Sequence, residues 1–319
     1  FDNPSEILCA NCNCSCHIFS PNSDAGFAVQ PKRFPKTIIM KENRNRNCKT
    51  CFTFSFLCCI IRKCCTGPGA GFQILEAEMN TRRLLSYVRQ AADDYVLIEE
   101  HDKIAAGLSG GKDSLTMLYA LKKLQRFYPK HFELTAITVH LGFEDFHPEP
   151  IAAFCKELDV PYKIIHTDIA GIVFGPDNVQ NPCSLCARLR KGAFNEAALQ
   201  LGCNKTAYAH HRDDLIETML LSLFYEGRFH SFSPKTELER TGLTLIRPLI
   251  YVPEAEITGF WHRHSFPAVR NPCPAEGQTK RQYIKELLGQ LNRENPGIKE
   301  RMFTAIRSAS FEDWPEVKI

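Results

Sequence analysis

The sequence predicts an α/β protein built on a doubly wound parallel sheet and closed by a helical C-terminal tail. Two observations carry this reading. From about residue 80 onward, short apolar runs alternate with helix-length segments, the order that generates strand–helix–strand units. The second is Ser109-Gly110-Gly111-Lys112-Asp113-Ser114, which follows the first of those runs and opens a helix. That places a glycine turn at a strand's carboxyl end, where such sheets bind ligands.

Leu84, Leu85, Val88 and Ala91 are spaced for a leading amphipathic helix over 80–94, with Arg82, Arg83 and Arg89 on its polar side. A strand over 103–108, the glycine loop, a helix over 114–127 and a Thr/Ile/Val-rich strand over 133–139 form the first unit. There follow a helix over 148–158, a short buried strand over 162–165 with a loop after it, and a long helix from just after Cys186 to about 201, closed by Gly202. A fourth strand is expected over 206–209, a helix over 213–224, a short strand end over 244–248 and a helix over 253–264. A basic helical tail over 279–309 completes a C-terminal helical part that begins near 253. No repeat or low-complexity segment interrupts this order.

A chain of 319 residues is long enough for one large or two modest domains. Its 15 cysteines are unevenly spread, with ten at or before Cys65. Residues 1–78 show no sustained periodicity. The spacing of Cys9, Cys12, Cys14, Cys16, Cys48 and Cys51 is open to a zinc or a disulfide reading. The apolar run over 51–61 is far shorter than the roughly 20 residues of a membrane span, and no signal-peptide order is visible. Residues 1–78 are therefore expected to be a non-native or disordered Cys-rich extension, with Met79 as the natural start and 79–319 as the folded domain.

Charge divides the chain at the same place. Residues 1–78 hold nine Lys or Arg against six Asp or Glu, which accounts for the whole net charge of +3. The rest is neutral, so a nucleic-acid partner has to be argued from a local basic patch. With no extracellular address, the remaining cysteines are expected to be thiols or metal ligands of a cytoplasmic protein with no membrane association.

Three constellations carry chemistry. In the first, Gly110 and Gly111 allow successive N–H groups to point into one concavity, and the helix beyond adds its positive end. Lys112 brings charge to the bound phosphates, Ser109 and Ser114 bring hydroxyls, and Asp113 is a candidate magnesium ligand. The spacing matches neither a Walker loop nor a dinucleotide fingerprint.

In the second, Cys183 and Cys186 precede Arg188, Arg190 and Lys191 at the start of a helix, a setting expected to lower thiol pKa. Two buried structural cysteines, or half of a zinc site, remain alternatives. Cys273, between Pro272 and Pro274, is the third candidate ligand, and three thiolates without an obvious fourth suit an iron–sulfur cluster with one open iron. Cys155 and Cys203 read as buried small hydrophobes. In the third, His210, His211, Arg212, Asp213 and Asp214 end a strand and begin a helix. The two carboxylates there suit either magnesium and nucleotide contacts or simple pairing with the helix dipole.

SGGKDS at 109–114, PCSLCARLRKG at 182–192, AHHRDDLIET at 209–218 and LIRPLIYV at 245–252 together resemble the tRNA 2-thiocytidine synthetase (TtcA) family of PP-loop ATP pyrophosphatases. The resemblance runs from about Met79 to the C-terminus. Its most discriminating part is the Cys-Ser-Leu-Cys block, since lysidine synthetases, NAD synthetases and thiouridylases share the phosphate loop. It implies an adenine nucleotide alpha hydrolase-like fold, ATP with Mg2+, and a [4Fe–4S] cluster on Cys183, Cys186 and Cys273. Two departures stand out: Glu276 replaces the last cysteine of a second Cys-x-x-Cys, and the loop over 139–147 lacks the acidic, Gln-containing pattern of the family.

The implied reaction replaces a cytosine C2 oxygen with sulfur after adenylation by ATP. Lys112 and Asp113 serve catalysis, and Ser109, Gly110, Gly111, Ser114, His210, Asp213 and Asp214 complete the nucleotide site. Arg188, Arg190, Lys191, Lys280 and Arg281 are the expected tRNA-phosphate contacts, with a solvated helix face as the alternative. A sulfur donor such as a cysteine desulfurase, and a homodimer, follow at the level of the family. The rival readings are another PP-loop enzyme acting on a different base or a small acceptor, and a metal- and nucleotide-binding module without turnover.

Overall fold

The computed structural model describes residues 70–175, 182–267, 269, 272–274 and 280–309, together with two short strands, β1 (Ile7–Leu8) and β2 (Ser15–Cys16). Those two pair antiparallel within a first unit, Phe1–Arg62, and everything else belongs to a second unit, Lys63–Ile319. The expectations for residues 1–69 other than those two strands, and Glu276, lie outside the described residues.

The second unit is built on six strands: β3 (Asp102–Gly107), β4 (Phe132–His140), β5 (Tyr162–His166), β6 (Lys205–Ala207), β7 (Lys235–Leu238) and β8 (Leu243–Ile246). Their order across the sheet is β5-β4-β3-β6-β8-β7, parallel throughout except for the antiparallel edge pair β7 and β8. The chain winds outward from β3 through β4 and β5, then returns to lay β6 on the other flank of β3. The crevice of such a sheet opens at this switch point, above the carboxyl ends of β3 and β6.

Helices cover both faces. In chain order they are α1 (Ala70–Asp94), α2 (Lys112–Leu124), α3 (Glu149–Glu157), α4 (Ile169–Phe174), α5 (Pro182–Gln200), α6 (Arg212–Leu221), α7 (Glu254–His264), α8 (Lys280–Glu294) and α9 (Ile298–Ser308). Side chains alternate along a strand, and β3 shows the consequence: Ile104 and Ala106 join the larger core with Leu115, Leu118, Ile151 and Phe260, while Ala105 faces Phe194, Ala197 and Ala198 of α5. All three strand residues are fully buried, which explains a continuous apolar run rather than an alternating one.

Several elements depart from the sequence expectation. The leading helix begins at Ala70 rather than at 80, and α4 forms where a loop was expected. The edge strand β7 was not foreseen at all. The basic tail is two helices, α8 and α9, separated at Pro296-Gly297, where Gly297 takes φ +83°. No described helix is long and apolar enough to cross a membrane.

Candidate active site

The Ser109–Ser114 segment leaves β3 and folds back on itself before α2. The Ser114 hydroxyl donates to the Gly111 carbonyl at 2.9 Å and lies 3.3 Å from both the Ser109 N and the Ser109 Oγ. Gly110 stands at φ +82°, and a Cβ there would lie 2.7 Å from Val269 Cβ and 3.0 Å from Ile151 Cδ1. Conformation and space both demand glycine at this position. Gly111 has φ −77° and caps α2 with no side-chain hydrogen bond, so the first N–H groups of that helix are available to an anion.

Lys112 is held between two carboxylates, with Asp113 Oδ1 at 2.8 Å and Glu254 Oε1 at 3.1 Å. Burial works to depress its pKa, but the charges and hydrogen bonds of Asp113 and Glu254 outweigh burial and raise it. Glu254 is affected in the opposite sense. Burial would raise it, yet its hydrogen bond to Lys285 at 2.6 Å and the ammonium of Lys112 bring it down to about 2. Two lysines alternate with two carboxylates at the helix mouth, and the three N–H donors of Lys112 allow it to keep both partners and still face a third acceptor.

The third constellation lies beside the first because β3 and β6 are parallel neighbours in the sheet. His211 caps α6: its Nδ1 accepts the Asp214 N–H at 3.2 Å, and Asp214 Oδ2 accepts the His211 N–H at 3.0 Å. Accepting at Nδ1 leaves the ring proton on Nε2, which lies 3.8 Å from Asp113 Oδ1. The two loops therefore meet through Asp113 and His211. His210 is pushed down to about 4 by burial and by the positive charge of Arg247, whose Nε donates to His210 Nδ1 at 3.3 Å. At neutral pH this imidazole is uncharged.

Asp213 is engaged on both oxygens, with Lys299 of α9 at 2.7 Å on Oδ1 and the Glu254 N–H at 2.8 Å on Oδ2. Burial would raise its pKa, and these donors overcome burial and lower it. In this arrangement Asp213 ties α6 to α7 and α9, and Asp214 is engaged more loosely, on Oδ2 by the His211 N–H at 3.0 Å and on Oδ1 by Arg281 at 3.8 Å, while partly exposed Asp113 is paired on Oδ1 alone. Glu254, Lys285, Lys299 and Arg247 escaped sequence reasoning. Only Arg247 carried a signal, since it sits inside the LIRPLIYV block.

Cys183 and Cys186 lie in the first two turns of α5, which starts at Pro182 and not after Cys186 as expected; proline is favoured at such a start. Cys183 is exposed, and Cys186 and Cys273 are half-buried. The three thiols sense one another electrostatically around Cys186. The expected lowering of thiol pKa is not found there: burial pushes Cys186 up, the two neighbouring thiols add to this, and Arg190 offsets it only in part. Cys155 and Cys203 are buried, and burial raises both, Cys155 to about 12. Among the described residues no three Cys, His, Asp or Glu side chains close on a single metal ion. One exposed and two half-buried thiols that do not close on a single ion fit a larger inorganic cluster better than a tetrahedral zinc ion.

The basic residues fall into two groups. Arg188, Arg190 and Lys191 are exposed along α5, as is Lys280 at the start of α8. Arg281 instead bonds α6, reaching the Asp214 carbonyl at 3.4 Å, Glu217 Oε2 at 3.2 Å and Thr218 Oγ1 at 2.9 Å.

Comparison with known proteins agrees with this geometry. A family model described as a PP-loop domain matches residues 78–291. A curated relative from Geobacter metallireducens, named tRNA-cytidine(32) 2-sulfurtransferase, is 40% identical over 234 residues, 72% of this chain and 90% of the relative. One of the same name from Teredinibacter turnerae is 38% identical over 74% of this chain and 79% of its own length. Among solved structures, the U34-tRNA thiolase NcsA from Methanococcus maripaludis with its [4Fe–4S] cluster matches with a TM-score of 0.61 at 25% identity, over 77% of this chain and 85% of that one. The phosphate loop, the thiol triad and these matches agree that the chain belongs to the PP-loop domain family and, within it, to the tRNA-cytidine(32) 2-sulfurtransferases.

Proposed function

We propose that this protein is an ATP-dependent tRNA sulfurtransferase that activates the C2 oxygen of a cytidine, at position 32 as the relatives' name states, and replaces it with sulfur. The observation that carries this reading is the seating of Val269, four residues before Cys273, directly on Gly110 of the phosphate loop. The segment bearing one thiol is thereby packed against the segment that receives phosphate. An activating site and a sulfur-delivering site share one crevice.

The carbonyl-type oxygen at C2 is a poor leaving group, so it must first be esterified. Its attack on the α-phosphorus of ATP forms an O–P bond and expels pyrophosphate toward Gly111, Lys112 and the free end of α2. Lys112 stabilises the developing phosphate charge electrostatically, and Asp113 and Asp214 are the carboxylates placed to hold Mg2+. Neutral His210 keeps a ring N–H to donate beside them. Cys183, Cys186 and Cys273 would hold a [4Fe–4S] cluster, which when bound supplies sulfur as the incoming nucleophile. AMP then departs with the original oxygen. Arg188, Arg190 and Lys191 on the helix that carries Cys183 and Cys186, and Lys280 at the start of α8, support tRNA docking as exposed cations, and a cysteine desulfurase-type donor, a homodimer and a cytoplasmic setting complete the proposal.

The test is pyrophosphate release by the anaerobically reconstituted full chain, with and without unmodified tRNA. Release that depends on tRNA is expected. Equal release without any RNA would favour a small acceptor and overturn the tRNA reading.

A further inference from the structure

At its carboxyl end α6 does not simply stop. It widens into a π-helical turn over Ser222–Glu226, closed by Gly227 at φ +66°. Such turns are uncommon and recur at functional sites. This one turns Phe224 and Tyr225 outward, 54% and 46% exposed, against the usual tendency to bury large aromatic area. Lys280 lies with Nζ 4.4 Å from the centroid of the Tyr225 ring, and among the described residues no carboxylate pairs with it. Tyr283, one helical turn further along α8, is 57% exposed.

An aromatic face with an adjoining unneutralised ammonium is the surface that takes a single-stranded nucleotide: the ring accepts a base by stacking and the cation accepts its phosphate. Its position is also fixed relative to the active site. Arg281, the residue after Lys280, bonds the Asp214 carbonyl, Glu217 and Thr218, so α8 is fastened to the helix whose first turn carries His211, Asp213 and Asp214. We propose that Tyr225, with Lys280 and Tyr283, forms a stacking platform for an unpaired base of the tRNA loop that presents the target cytidine. This rests on the tRNA reading above and adds a surface that the phosphate contacts alone do not supply. Stacking on Tyr225 holds the loop open, and Lys280 secures the adjoining phosphate. A protein partner or a second copy of this chain would use the same aromatics differently, as a dry contact indifferent to RNA.

The experiment is equilibrium binding of unmodified tRNA to the full chain, purified anaerobically, for wild type, Tyr225→Ala, Tyr225→Phe and Lys280→Ala. ATP affinity and solution mass are measured on the same samples. Tyr225→Ala is expected to weaken tRNA binding by roughly 5- to 150-fold, the range of one lost base stack. Tyr225→Phe, which keeps the ring, should stay within about twofold of wild type by the same reasoning. Lys280→Ala should lower the slope of log affinity against log salt by about one. ATP affinity should be unchanged in all three. Wild-type tRNA affinity in Tyr225→Ala would overturn the platform while leaving the functional reading intact, and so would a fall in oligomer mass with tRNA affinity retained. No tRNA affinity in the wild type would overturn the functional reading and the platform together.

Discussion

Gly110 and Gly111 are adjacent in sequence and opposite in requirement. A methyl group at Gly110 meets a positive φ and Val269 Cβ at 2.7 Å, whereas at Gly111 it meets only Ser109 Oγ at 3.5 Å. Gly110→Ala should therefore destabilise the fold by roughly 1–3 kcal/mol and weaken ATP binding, while Gly111→Ala leaves thermal stability near wild type. Paired melting curves and ATP titrations read both. Acid sensitivity is set at the same scale. His210 titrates near 4 when folded against an ordinary 6.5, and Glu254 near 2 against 4.5. Both folded values are depressed, so each group contributes stability above its ordinary value and loses it as pH falls, His210 between about 6.5 and 4, Glu254 between 4.5 and 2. Urea melts across this range should show Glu254→Gln flattening only the lower part.

Among the elements, β6 is short and depends on a buried ion pair at its first residue. Lys205 is 3% exposed, 2.7 Å from Asp102 Oδ2 and 2.8 Å from Glu99 Oε2. Lys205→Met should cost roughly 3–5 kcal/mol by leaving the buried Asp102 carboxylate without its cation, held only by the Glu99 N–H and the Asn204 side chain, read as a shifted denaturant midpoint. The strands and helices that were legible in the sequence share one property: they pack on the core with a clean period. β3, β4, α2 and α7 fall in that class. β7 was not legible because Lys235–Leu238 is four residues on an edge, half solvated, with little alternation to read. The break between α8 and α9 had its signal in Pro296-Gly297, but the basic composition on both sides masked it. At the site, motif residues announced themselves by glycine, cysteine and histidine chemistry. Glu254, Lys285 and Lys299 did not, since each reaches the site only through tertiary packing and looks in sequence like an ordinary charge on a helix face.

At the scale of the whole molecule, the sheet order brings function together. Winding β4 and β5 to one side and β6 and β8 to the other leaves the ends of β3 and β6 side by side, so loops separated by about a hundred residues in sequence meet at Asp113 and His211. The stretch after α7 touches the phosphate loop through Val269 on Gly110, and Cys273, four residues further on, acts electrostatically on Cys186 of α5. Both halves then serve one reaction on tRNA. Nucleoside analysis decides this, on tRNA from a bacterium deleted for its own tRNA-cytidine 2-sulfurtransferase and supplied with this full chain, wild type, Lys112→Ala or Cys273→Ser. 2-Thiocytidine should be restored by the wild type and lost with either variant; tRNA without 2-thiocytidine in the wild-type strain, with the protein soluble and cluster-loaded, would refute a single shared reaction.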